Sequence, residues 1–129
     1  MYRLIAASAF IAALALPVYA GEGLACTNGQ GVDVHLPLAA APGFELLDGV
    51  EIKVGDAMWS TDAARTGGTP IMAGQSFGDD ETLRADFYDE NAERVVAKLR
   101  LAVGAWGDEP VIAGILWLEE AGAFTVTCY

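Results

Sequence analysis

AFTVTCY, residues 123–129, decides the fold. Phe124, Val126 and Cys128 fall on one side of an extended chain and Thr125 and Thr127 on the other. That period of two marks a half-buried strand. At the other end of the chain LACT, residues 24–27, puts Leu24 and Cys26 on a shared face. Each terminal strand thus carries one of the two cysteines on its apolar face. If they bond, the first and last strands are neighbours, and the sheet closes on itself or joins the edges of a sandwich.

Between these ends the same alternation recurs. VDVHL places Val32, Val34 and Leu36 against Asp33 and His35, and VEIKV places Val50, Ile52 and Val54 against Glu51 and Lys53. LRADFYD and RVVAKLRLAV follow, joined by the polar ENAE, residues 90–93, at hairpin length. VIAGILWL, residues 111–118, is apolar on both faces, the pattern of a strand covered twice or used as an interface. After residue 20 no stripe of helical period stands out. The expected fold is all-β: one small antiparallel β-barrel or β-sandwich of about six to eight strands over residues 21–129. Its N- and C-terminal strands are expected to be adjacent and joined by a Cys26–Cys128 disulfide.

The first twenty residues read as a cleaved secretory signal peptide. Arg3 supplies the positive start, Leu4 to Leu16 the apolar core, and Val18 and Ala20 the small residues of a cleavage site. The core is shorter than the ~20 residues of a membrane span. This implies a periplasmic or secreted protein with no membrane insertion after cleavage. GLAC, residues 23–26, weakly suggests lipoprotein processing at Cys26. Pro17 and Glu22 separate it from the apolar core, and lipidation would strand Cys128 as a lone thiol. Two cysteines in a short exported chain pair more readily.

Cleavage removes Arg3 and leaves six basic and eighteen acidic side chains, a net charge of −12. Such a charge repels nucleic acid and anionic membrane surfaces. It favours a basic protein partner or cations, although solubility alone is the plainer explanation.

Several short patterns test for chemistry. GQSFG, residues 74–78, fits the G-x-S-x-G of a hydrolase nucleophile elbow. That elbow needs a helix after the serine and a histidine later in the chain. Here DDE and another strand follow, and the only histidine, His35, comes earlier. Ser76 is therefore expected in a loop without catalytic function, and no catalytic residue is assigned. Asp33 and His35 share one strand face and could pair as a base with its orienting carboxylate. GDDE, residues 78–81, and the acids around Asp89 and Glu90 offer oxygen atoms without the spacing of a calcium loop, so no metal is assigned. No cofactor is implied.

The stretch from Thr61 to Glu81 reads as a long irregular loop, of the kind that carries function, although Ile71, Met72 and Phe77 would let part of it fold back as a short strand. Arg65, Ile71, Met72 and Phe77 within it, together with Trp106 at a turn in GAWGDEP, are the residues expected to meet a ligand or partner. In the plainer reading Trp106 caps the core; Trp59 and Trp117, inside strands, are expected to be buried. The function expected is a non-catalytic binding or inhibitor-like module that presents loops to a protein or small ligand. In size, acidity and compartment the chain resembles the acidic periplasmic lysozyme inhibitors, which imply a basic partner. TGGTPIM, residues 66–72, lacks their serine–glycine–tyrosine loop signature, so the resemblance identifies no residue. The alternatives are a small hydrolase working through Asp33 and His35, and a subunit of an envelope assembly using VIAGILWL as its interface.

Overall fold

A computed structural model describes residues 23–38 and 45–129, and its strands form one closed nine-stranded barrel. The strands are β1 (Leu24–Thr27), β2 (Val32–Leu36), β3 (Glu51–Val54), β4 (Ala57–Ser60), β5 (Thr69–Gly78), β6 (Thr82–Asp89), β7 (Val95–Trp106), β8 (Glu109–Leu118) and β9 (Gly122–Cys128). One helical turn, α1 (Ala63–Thr66), links β4 to β5. The segment read as a signal peptide lies outside the described residues.

Neighbours in sequence are neighbours in the barrel. All pair antiparallel except β4 and β5, which run parallel with Trp59 opposite Thr69 and Ser60 opposite Pro70. The α1 crossover makes that parallel step possible. Closure comes from β1 and β9, where Cys26 faces Cys128 and Thr27 faces Thr127. Backbone bonds between Ala25 and Tyr129, 2.9 and 3.3 Å, extend the seam. Cys26 and Cys128 are disulfide-bonded, as an oxidising compartment permits.

The alternation of the sequence explains the interior. Val34, Leu36, Ile52, Phe87, Leu99, Leu116 and Leu118 all point inward and are almost wholly buried. Each such side chain contributes about 1.5–3 kcal/mol when removed from water. The barrel is therefore a packed core rather than a channel. Ser60 is its buried polar residue, and its hydroxyl is satisfied by the Asp62 amide at 3.0 Å and the Thr66 hydroxyl at 2.8 Å.

The structure differs from the sequence reading in strand count, in one segment and at one tryptophan. The barrel has nine strands, and residues 61–81 are not a loop: they hold α1 and the ten-residue β5. Ser76 is correspondingly a strand residue, opposite Ala85. A bulge between Ala73 and Ser76 breaks the alternation that would have revealed β5. Gly74 sits where a Cβ would overlap the Tyr88 ring, so the glycine reflects close packing and not a turn. Trp59 is buried as expected, but Trp117 is on the outer face, its ring 5.2 Å from Lys98 Nζ.

Candidate binding face

The site is built from the outer residues of β5 to β8. Register places Phe77 opposite Arg84, Arg84 opposite Arg100, and Arg100 opposite Ile115, so these four form one row across four strands. The next row holds Asp86, Lys98 and Trp117, and on the other side lie Ala102 and Ala113, then Gly104 and Val111. The β7–β8 hairpin ends with Trp106 opposite Glu109 around Gly107 and Asp108. Glycine first in a two-residue hairpin loop, here with φ 61°, suits the positive φ that such turns require.

Arg100 is tied down. Its guanidinium donates to Asp86 Oδ1 at 2.7 Å, to Leu99 O at 3.0 Å and to Ala85 O at 3.3 Å. Arg84, directly across, makes no hydrogen bond or ion pair among the described residues. Like charges directly opposite on a sheet are destabilising, so this pair is a local cost. Three of the six basic side chains left after residue 20, Arg84, Lys98 and Arg100, gather on this face of a strongly acidic chain. Beside them is an open depression of about 570 Å³ lined by Gln75, Ser76, Phe77, Arg84, Asp86 and Arg100. Hydroxyl, amide and guanidinium donors thus surround an exposed aromatic ring.

The residues expected from the sequence to meet a partner divide. Phe77 and Met72 stand out from β5, 54% and 47% exposed, and Trp106 is 83% exposed at the hairpin tip. These three share the outer side of the same sheet. Ile71 does not: its side chain points into the barrel and belongs to the core. Arg65 lies on α1, bonded through Nε to Asp62 Oδ2 at 2.6 Å, which holds its pKa above the ordinary value.

Asp33 and His35 lie on the outer face of β2, opposite Lys53 and Glu51 on β3. Together with Tyr129 they line an open depression of about 210 Å³. The pattern is alternating charge across two strands, favourable between Asp33 and Lys53. The acidic clusters close turns. Asp79 accepts the amides of Glu81 and Thr82, both at 2.8 Å, which holds its carboxyl below the usual range. Asp89 accepts the Glu93 amide at 2.7 Å and, with Glu119, flanks Arg94. Among the described residues no three His, Cys, Asp or Glu side chains converge as metal ligands.

Arg84 and Arg100 were not singled out in the sequence. The alternation in LRADFYD and in KLRL puts both outside, but their meeting depends on register. Compared with family models, curated proteins and solved structures, the chain has no match.

Proposed function

We propose that the protein is a non-catalytic binding module of the periplasm or the secreted compartment, and that it meets its ligand or partner on the outer face of β5–β8. One observation carries this reading. Of the seven large apolar side chains exposed among the described residues, five lie on that face: Met72, Phe77, Trp106, Val111 and Ile115. Scattered exposed apolar residues are ordinary, but a gathered set marks an interaction surface. A disulfide-closed barrel supports the reading further, because a rigid frame loses little conformational freedom on binding.

The rest of the surface is acidic, which favours fast encounter with a basic protein. The two-faced β8 also supports the reading of an assembly subunit, which would use the same surface. The test is retention of partners from an exported-protein extract by three immobilised forms: the wild type, a Phe77→Ser, Val111→Ser, Ile115→Ser variant, and an Asp33→Ala, His35→Ala variant. The first variant is expected to lose what the wild type retains and the second to keep it. The reverse result would transfer the site to β2 and restore the hydrolase reading.

A further inference from the structure

The row Phe77–Arg84–Arg100 lies beside an open strand edge. β5 pairs with β4 only at Thr69 and Pro70; from Ile71 to Gly78 its other side has no ladder partner among the described residues. Backbone donors and acceptors that point away from β6 there can receive another strand. Native edges of this length usually carry charge, yet TPIMAGQSFG contains no charged side chain in a chain that is 19% charged. Among the described residues the bulge between Ala73 and Ser76 is the protective feature of the open stretch.

We propose that β5 accepts an extended acidic segment of a partner protein as an added strand, with an outward carboxylate reaching past Phe77 to Arg84. The proposal rests on the binding-module reading above and specifies the part of the partner that docks. That part is an acidic segment of a protein that is otherwise basic, so that the acidic remainder of the surface still attracts it. Arg84 faces Arg100 at a cost that a carboxylate paired with Arg84 would relieve. Asp86 answers Arg100, and Asp79 lies within the field of Arg84 but already accepts two backbone amides. The face remains positive, and screening over about 8–10 Å confines the repulsion of distant acids. A second copy of this chain fits poorly, since it would add a second arginine pair and another strongly negative body. A simple anion is much smaller than a depression of about 570 Å³ flanked by Phe77.

The experiment uses the disulfide-bonded protein, labelled for amide detection, and a blocked hexapeptide of alternating valine and glutamate. Its lysine counterpart, a form N-methylated at alternate amides, sodium acetate and sodium phosphate complete the set. The glutamate peptide is expected to bind, to slow exchange of amides between Ile71 and Gly78, and to weaken as salt rises. Arg84→Gln is expected to reduce that affinity roughly three- to tenfold while leaving the fold unchanged. The N-methylated peptide is expected not to bind. Equal binding by the N-methylated form would overturn strand addition, and tighter binding by the lysine form would show that net charge governs. Acetate or phosphate reproducing the peptide's amide shifts would make this a small-anion site. If no peptide binds up to about 1 mM, strand addition falls. Partner capture that still depends on Phe77, Val111 and Ile115 would then leave the binding-module reading standing.

Discussion

The strands β1–β4 are four or five residues long and show water Asp33, His35 and Lys53, whereas β5–β8 run eight to twelve residues and show it Met72, Phe77, Val111 and Ile115. The short side has little ladder to hold it: β1 meets β9 at two register pairs, and β4 meets β5 at two. The long side has ten register pairs between β7 and β8 alone, and its upper ends extend past the core into an exposed hairpin. Closure is thus a property of the short side and presentation a property of the long one. A covalent bond is found where the ladder is weakest.

That contrast is broken most directly at the seam. Replacing Cys26 and Cys128 together with alanine removes a constraint spanning 102 residues and leaves space where buried sulfur packed. A loss of about 2–5 kcal/mol is expected, against a typical total of about 5–15 kcal/mol. With so much negative charge on the domain, added salt should recover part of it. Urea midpoints for wild type and double mutant at two salt concentrations measure both effects. Coincident midpoints would show that the two-pair seam closes the barrel unaided.

The long side has its own weak point, and it is steric. A Cβ on Gly114 would overlap the carbonyl oxygen of Arg100 and lie 2.8 Å from Leu101 Cα. Gly114→Ala should therefore force β7 and β8 apart, at about 1–3 kcal/mol. Gly104, on the same hairpin, has nothing within 4 Å of the same position, so Gly104→Ala should be neutral or slightly stabilising. Thermal melting of the two variants distinguishes a close approach from a general intolerance of side chains. Smaller still is the stability effect expected for Phe77→Ser and Trp106→Ala, within about 0.5 kcal/mol, because both side chains already face water. Partner retention should fall while melting stays put. A marked loss of stability in either variant would mean that the face is structural.

What the sequence shows and hides follows the same division. Where a strand has one buried face, as β2, β3, β6 and β9 do, alternation reveals it, and two cysteines on such faces reveal the closure. β5 has few buried residues, a proline near its start and a bulge in its middle, so no period survives. The arginine pair is hidden for a related reason. Counting back from Asp89 and Arg94 at the β6–β7 turn would set outward Arg84 against inward Leu99. Only an extra residue can reconcile the faces, and it lies between Tyr88–Val95 and Phe87–Ala97. The sequence requires the bulge without locating it.

The smallest effect expected is at the turn that begins β6. Asp79 accepts amides from Glu81 and Thr82, and the Thr82 hydroxyl at 3.3 Å, with Arg84 nearby adding a favourable charge. These donors favour the ionised form, so the folded carboxyl titrates below the ordinary value of 3.8. As pH falls, the unfolded chain takes up this proton first. The stabilisation is therefore complete above that ordinary value and is lost as pH falls through the depressed folded one. Asp79→Asn keeps the acceptor oxygen without the charge, and Asp79→Ala removes both. The melting temperature of the wild type should exceed that of Asp79→Asn near neutrality, and the two should converge as pH falls below the depressed folded value. Asp79→Ala should stay lower at every pH, since the amides of Glu81 and Thr82 lose their acceptor. A wild-type advantage over Asp79→Asn that holds unchanged down to pH 2 would mean that charge does not organise this turn. Arg84 would then have no electrostatic tie on its own side of the barrel, and its position opposite Arg100 would be still harder to explain without a ligand.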